Sequence, residues 1–163
     1  MPKRKHKKFS KPRKSFDKFR IEEENVLVKR YGLKNKREIW KAESAIKKIR
    51  NQAKTLLTKS AENQEKFVDK LKKQGFAVAS TADILALNKE DYLKRRLQSI
   101  IVEKKFASTP KQARQFIAYK HIAINGHIIN IPSYIVPVNE EDKINLIVVR
   151  REKQEKNDGV ENA

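Results

Sequence analysis

The stretch KQARQFIAYKHIAINGHIIN, residues 111–130, decides the fold of the C-terminal half of this chain. Asn125-Gly126 stands between two β-branched runs. A two-residue hairpin turn needs positive φ at both central residues, which Asn-Gly tolerates best. Before the turn, the spacing of Ala113, Phe116 and Ile117 places three apolar side chains on one helix face. The stretch therefore predicts a helix that runs into a tight β-hairpin.

The flanking segments extend this unit. Residues 88–105, NKEDYLKRRLQSIIVEKK, have the pattern of one helix capped by Asn88. The next helix has Ser108 or Thr109 as its cap, and Pro110 occupies its first position. Strand-like runs follow the hairpin, with the NEED segment as a turn. Residues 91–149 therefore predict two short helices packed on a hairpin-containing β-sheet.

The N-terminal half has a helical pattern. Residues 21–90 predict a helical domain, in which Gly32 ends one helix and Asn35 with Glu38 forms the capping box of the next. Residues 1–20 form a basic arm, and residues 150–163 a disordered tail. The predicted fold class is α+β: a helical N-terminal domain followed by a module of the alpha-L type.

The charge of the chain narrows its partners. Its 163 residues include 39 Lys and Arg against 20 Asp and Glu, a net charge of +19. Such a charge repels itself in the folded state unless a polyanion neutralises it, and nucleic acid is the leading candidate. No acid occurs from Lys104 to Asn139. RNA is favoured over DNA because no helix offers a row of base-reading side chains for a major groove.

Candidate binding residues cluster in two regions. Around the predicted hairpin they are Arg95 and Arg96, Lys111 and Arg114 on an exposed helix face, Lys120 and His121 at its exit, and His127 after the turn. In the arm they are Lys3, Arg4, Lys5, Lys7, Lys8, Arg13 and Lys14. We expect the arm to order on a phosphate backbone. Its Phe9, Phe16 and Phe19 could stack on bases, but docking on protein is the favoured interpretation.

Several short stretches carry a family resemblance. RRL at 95–97, QAR at 112–114, INGHIIN at 124–130 and PSY at 132–134 resemble the RNA-binding module named after ribosomal protein S-four. Upstream, FDKFRIEEE at 16–24 and YGLKNKREIW at 31–40 resemble the archaeal and eukaryotic branch of that small-subunit protein family. The resemblance spans roughly residues 1–150.

The resemblance implies a structural constituent of the small ribosomal subunit. It implies a primary binder of small-subunit rRNA that nucleates assembly, lines the channel by which messenger RNA enters, and affects translational accuracy. Neighbouring small-subunit ribosomal proteins are the other implied partners. The RNA-facing positions it implies are Arg95, Arg96, Gln98, Thr109, Lys111, Gln112, Arg114, Lys120, Asn125 and His127, with Lys36 and Arg37 in the upstream stretch. Gln98 and Pro110 stand where many such modules carry Asp and Arg.

Other interpretations remain beside this one. A pre-rRNA processing or assembly factor with the same module is the main alternative. An RNA-modifying enzyme or tRNA synthetase that carries the module is disfavoured, because the four Gly residues form no phosphate loop. A basic protein of membrane surfaces is disfavoured because the Lys111 and Arg114 face lacks apolar area.

The sequence also leads us to expect no cofactor and no metal. There is no Cys, and His6, His121 and His127 are the only histidines. No apolar segment follows the basic N-terminus as in a secretory signal, and prolines interrupt the uncharged run 121–139. We expect a cytoplasmic, ribosome-associated protein with no membrane partner and no enzymatic activity.

Overall fold

Eight helices and three short strands make up the part of the chain that the computed structural model describes, residues 7–147. The predictions for Lys3, Arg4, Lys5 and the tail at 150–163 concern residues outside that range. In chain order the elements are α1 (Lys18–Tyr31), α2 (Lys36–Leu56), α3 (Ala61–Lys73), α4 (Thr81–Ala86), α5 (Lys89–Lys94), α6 (Leu97–Glu103), α7 (Pro110–Ala118), β1 (Ile122–Ile124), β2 (His127–Ile128), α8 (Val138–Glu141) and β3 (Ile144–Leu146).

The sheet confirms the predicted hairpin. Strand β1 lies between β2 and β3, and both pairings are antiparallel. Ile124 pairs with His127 across the turn, where Asn125 has φ 52° and Gly126 has φ 81°. Positive φ at both central residues is what the Asn-Gly pair predicts. Helices α6 and α7 pack on one another and on this sheet, so the α+β fold class is also confirmed.

Three apolar clusters hold the elements together. One joins α6 and α7 to the sheet through Leu97, Ile101, Ile117, Ile122 and Val136. A second joins α2, α3 and α4 through Ile46, Ala53, Val68, Leu71 and Ile84. A third joins α1 and α2 to Leu93 of α5 through Leu27, Tyr31, Leu33 and Ile39. Helix α2 contributes to two of the three clusters, which makes it the central element of the N-terminal half.

The helix predicted across residues 88–105 is interrupted, and that prediction is wrong. Helix α5 ends at Lys94 and α6 begins at Leu97, because Arg96 is extended with φ −75° and ψ 144°. The Leu97 amide donates to the Tyr134 carbonyl at 2.8 Å, and the Val136 amide donates to the Arg95 carbonyl at 3.2 Å. Backbone hydrogen bonds to this distant segment replace the helical ones, and local sequence does not encode them.

Two smaller predictions also fail. Helix α1 begins at Lys18, before the predicted boundary at residue 21. Asn35 is the N-cap of α2, but its side chain makes no capping hydrogen bond. Glu38 accepts from the Lys34 amide at 3.2 Å and otherwise turns toward arginines of the C-terminal half. The tertiary ion pairs therefore outcompete the local capping box.

Four helices end in a residue with left-handed backbone, and the surroundings decide which residue type occurs there. Gly32 and Gly75 follow α1 and α3 with φ of 58° and 80°, whereas Lys105 and Lys120 follow α6 and α7 with φ of 60° and 64°. A Cβ on Gly32 would lie 2.7 Å from the Pro110 Cβ. Glycine is therefore required where another element approaches, and a lysine is accommodated where the side chain is exposed.

We predict that Gly32→Ala destabilises the chain more than Gly126→Ala does. Both substitutions force an L residue into left-handed backbone, at a cost of roughly 1–2 kcal/mol each. Only Gly32 also faces a packed neighbour, since nothing lies within 4 Å of a Cβ on Gly126. Chemical denaturation should show an additional loss of about 1–3 kcal/mol for Gly32→Ala, the usual cost of overpacking. Equal losses would mean that α1 and α7 are not tightly packed at this point.

Candidate nucleic-acid interface

An open groove of about 660 Å³ lies between α2 and the C-terminal module. Six cationic side chains and one carboxylate line it: Lys8, Arg37, Lys41, Lys48, Arg96, Arg114 and Glu38. Asn35, Ala45, Tyr92, Pro132 and Ser133 complete the walls. A concave surface with this excess of positive charge concentrates anions, and a phosphate backbone is the anion that extends along a groove.

Helix α2 supplies one wall of the groove. Arg37, Lys41 and Lys48 recur at spacings of four and seven residues, so they share one helix face, and all three are exposed. The buried Ile39 and Ala42 lie on the opposite side, in the core. The apolar pattern that buries one face of α2 therefore also orders its lysines along the groove.

Glu38 ties this wall to the module. Its carboxylate accepts hydrogen bonds from the guanidinium of Arg96, which precedes α6, and from that of Arg114 on α7, where Arg114 Nη2 lies 3.1 Å from Glu38 Oε1. The Glu38 side chain is 15 % exposed, so these pairs are largely shielded from water. Two helices of the module are thus held by one carboxylate of α2.

The electrostatics of this cluster favour the ionised carboxylate. Burial raises the pKa of the Glu38 carboxyl, but the hydrogen bonds and charges of Arg96 and Arg114 outweigh it and place the pKa below its ordinary value of 4.5. One negative charge facing two guanidinium groups leaves the cluster net positive at neutral pH. The cluster therefore contributes to the positive potential of the groove while holding it together.

Arg96 has capacity for a further acceptor. The residue is 4 % exposed, and its Nε and Nη1 atoms have no hydrogen-bond partner among residues 7–147. A buried guanidinium normally satisfies most of its five donors. The unused donors lie at the edge of the groove, where an anion would supply the missing acceptor.

Three predicted binding residues are not on the exposed surface where we expected them. Arg96 is buried against Glu38, and Arg114 is half-buried against the same carboxylate. Gln98 is buried, and its Nε2 donates to the carbonyls of Tyr31 and Gly32 at 3.1 Å and to that of Pro110 at 2.7 Å. The exposed-face prediction for Arg114 is therefore wrong, and replacing it would perturb folding as well as any binding.

Arg95 also fills a structural position. Its Nε donates to the Gln74 carbonyl at 3.1 Å, and its Nη2 donates to the Val136 carbonyl at 2.6 Å and to the Glu141 carboxylate. The guanidinium occupies the space that a side chain on Gly75 would need. Arg95 thus joins the end of α3 to the segment before α8, on contacts separate from those of Arg96.

The remaining predicted residues fall into three groups. Thr109 and Gln112 form a reciprocal cap of α7: the Gln112 amide donates to the Thr109 Oγ1 at 3.3 Å, and Gln112 Oε1 accepts from the Ser108 amide at 3.0 Å. Lys36 is half-buried and lies 3.5 Å from the buried Glu24 carboxylate. The exposed members, none of which lines the groove, are Lys111, Lys120, Asn125 and His127, with His121 half-buried beside them.

The basic arm is partly docked. The ring of Phe9 lies 6.0 Å from that of Trp40, which supports docking on protein for this residue. Arg20 Nη2 donates to the carbonyls of Lys14 and Ser15 at 3.0 Å each, which fixes the arm at the start of α1. Lys8 is thereby brought to the groove, while Lys7, Arg13 and Lys14 are exposed outside it.

Sequence analysis did not single out Lys41 and Lys48. Both recur with Arg37 at helical spacing, opposite the apolar stripe, and that periodicity is the signal that could have identified them. A charged helix face is usually only solvated, so the pattern acquires meaning once the facing wall of the groove is known.

Two other kinds of site were searched across residues 7–147. No group of three or more His, Cys, Asp or Glu side chains there is placed to hold a metal ion. Among the same residues, no helix combines the length and the apolar character needed to cross a membrane.

The Glu38 cluster predicts a specific pH dependence of stability. Because the folded-state pKa of Glu38 lies below its ordinary value of 4.5, its contribution is present above that value and is lost as pH falls through the lower one. Near neutral pH, Glu38→Gln should lower the free energy of unfolding by about 3 kcal/mol, as when one partner of a buried pair is removed. Urea unfolding of the two proteins should show this difference shrinking from about pH 5 to about pH 3.

Glu43→Gln is the matched control, since Glu43 is exposed on the same helix. It should change stability by less than about 0.5 kcal/mol. A Glu38→Gln difference that is constant across the acid range would contradict the ion-pair assignment.

Comparison with known proteins gives the family. The S4 domain model matches residues 95–142, which span α6, α7, the hairpin and α8. "Small ribosomal subunit protein uS4" of Saccharolobus islandicus (strain L.S.2.15) is 45 % identical over 154 residues, covering 90 % of this chain and 85 % of the relative. The same-named protein of Nanoarchaeum equitans is 44 % identical over 152 residues, covering 88 % and 84 %. That of Methanococcus aeolicus is 42 % identical over 153 residues, covering 90 % and 86 %.

The similarity therefore extends through the helical half as well as the module. Identity of this size over nine-tenths of the chain shows common descent of the whole fold. The chain belongs to the uS4 family of small-subunit ribosomal proteins.

Proposed function

We propose that this chain is a structural constituent of the small ribosomal subunit, where it binds small-subunit rRNA directly and nucleates assembly. The observation that carries the proposal is the groove between α2 and the module, with its six cationic side chains. Membership of the uS4 family supplies the ribosomal context, and the groove supplies a surface that fits a phosphate backbone.

Binding in this proposal rests mainly on phosphate contacts. Arg37, Lys41 and Lys48 contact the backbone from α2, and Lys8 contacts it from the arm. Arg114 and the unused donors of Arg96 contact it from the module. These groups belong to separate elements whose spacing is fixed by Glu38, so the surface selects a folded RNA by shape.

The exposed residues outside the groove form a second part of the proposed RNA surface. Lys111, Lys120, Asn125 and His127 are accessible on α7 and the hairpin, as direct contacts require. Lys120 follows α7 in left-handed backbone, which favours Gly over other residues. A strained position occupied by a charged side chain is typical of a functional site.

Two finer roles are part of the proposal. On the strength of the family resemblance, we infer that the chain also lines the channel by which messenger RNA enters the small subunit and that it influences translational accuracy. Neither role needs catalysis by this chain, since lysines and arginines grip an RNA strand while the ribosome moves it. The proposed location is the cytoplasm, in the ribosome.

We predict that affinity for small-subunit rRNA falls linearly with salt on a logarithmic plot, and that Lys41→Ala makes this slope shallower. Each neutralised phosphate contributes roughly −0.7 to −0.9 to the slope. Lys41 is exposed in the groove and has no ion pair among the described residues, so its removal should take away about one such contact without loss of stability. Filter binding at a series of salt concentrations measures the slope.

Lys59→Ala is the matched control. Lys59 is equally exposed, but it lies between α2 and α3, away from the groove. Its slope should match that of the unmodified chain. An unchanged slope for Lys41→Ala, or an equal change for both variants, would place the RNA elsewhere.

Sedimentation separates the proposal from the alternative of an assembly factor. A tagged chain expressed in its own cells should be present in mature small subunits and in translating ribosomes, about one copy per subunit. Its confinement to immature small-subunit particles would instead support a processing or assembly factor. Its absence from both fractions would contradict the ribosomal role.

A further inference from the structure

The outer face of α1 is an apolar stripe that the described core does not use. We define the outer face as Phe19, Glu22, Glu23 and Val26, with Phe16 just before the helix. Phe19 and Val26 lie two helical turns apart on the side away from Leu27 and Tyr31, which are buried. Phe16 is 95 % exposed, Phe19 80 % and Val26 63 %.

This exposure contrasts with the rest of the arm. Phe9 packs against Trp40, and Arg20 on the inner side of α1 contacts the buried Glu24 at 2.8 Å. The segment is therefore fixed in place while two phenylalanine rings project from it. A group of large apolar side chains on a fixed helix, rimmed by charges, marks an interaction surface.

The charges on the outer face select the kind of partner. Glu22 and Glu23 are exposed between Phe19 and Val26, and neither forms an ion pair within residues 7–147. Two free carboxylates repel a phosphate backbone at the position where Phe19 would have to stack on a base. A second copy of this chain is also a poor occupant, because each copy carries a net charge of +19.

We infer that the outer face of α1 docks a basic surface of another small-subunit protein, an inference that rests on the proposed ribosomal function. The partner presents an apolar recess for Phe19 and Val26, flanked by Lys or Arg side chains that pair with Glu22 and Glu23. The chain thus has two faces of opposite preference: the groove beside α2 binds RNA, and the outer face of α1 binds protein.

Photo-crosslinking in intact subunits tests the inference. The photoreactive amino acid p-benzoylphenylalanine is placed at position 19 of the full chain, and small subunits are purified and irradiated. Mass spectrometry after nuclease and protease digestion identifies the attached molecule. Position 57 is the control site, because Leu57 is also an exposed apolar residue, 50 % accessible, but lies at the end of α2.

We expect position 19 to crosslink to one peptide of another small-subunit protein in which Lys and Arg outnumber Asp and Glu. Adding Glu22→Lys and Glu23→Lys should reduce the yield roughly tenfold, since like charges then face each other. Both residues are exposed, so circular dichroism and rRNA affinity should show an intact fold. Phe19→Asp without the crosslinker should lower occupancy of the partner in purified subunits.

Other outcomes overturn the inference. A crosslink to rRNA would assign the face to base stacking, and a crosslink to a second copy would assign it to self-association. An acidic target peptide, or a yield no higher than at position 57, would also overturn it while leaving the proposed function intact. Absence of the chain from purified small subunits would overturn the proposed function and this inference together.

Discussion

One carboxylate, that of Glu38, sets the relation between the two halves of the chain. It lies on α2, the central helix of the N-terminal half, and receives guanidinium groups from the start of α6 and from α7. In a chain with 39 basic and 20 acidic residues, bringing arginines of the module against a lysine-bearing helix would be repulsive without it. The buried acid turns that repulsion into attraction at the point where the halves meet. Removing it would leave two guanidinium groups facing each other across a poorly hydrated contact.

The same contact shapes the groove. Arg37 is the residue before Glu38, and Lys41 lies one turn beyond it, so holding Glu38 against the module fixes where these cations point. The buried Gln98 and Arg95 add further ties, from α6 to the end of α1 and from the α5–α6 junction to the end of α3. Surface charges on a flexible chain would adapt to many anions. Charges held by a packed interface favour the phosphate spacing that they already match, which is the basis of recognition by shape.

What the sequence predicted well is local. The Asn-Gly hairpin, the Thr109 and Pro110 start of α7 and the glycine ends of α1 and α3 follow from backbone preferences of a few adjacent residues. What it missed depends on distant partners. The break between α5 and α6 follows from backbone bonds to Tyr134 and Val136, which lie about forty residues away. The burial of Gln98 and Arg114 depends likewise on Gly32 and Glu38. A helical periodicity cannot show which exposed positions a later segment will cover. Within the candidate site, the arm and Arg37 were therefore predictable, whereas the groove itself was not.

The division of labour between arginine and lysine explains why the family motifs proved misleading as a guide to contacts. Arg95, Arg96 and Arg114, which carry the RRL and QAR matches, each bond to carboxylates within the fold, and Arg95 also bonds to backbone carbonyls. The planar guanidinium has five donors and suits such multiple bonds, whereas a lysine ammonium is a strongly hydrated point charge on a flexible stem. Lys41, Lys48 and Lys111 are exposed and keep their charge available to solvent and ions. The motif arginines thus identify the fold because they assemble it. In the proposed function, the exposed lysines and Arg37 supply most of the charge that phosphates meet, on a frame that the motif arginines hold in shape.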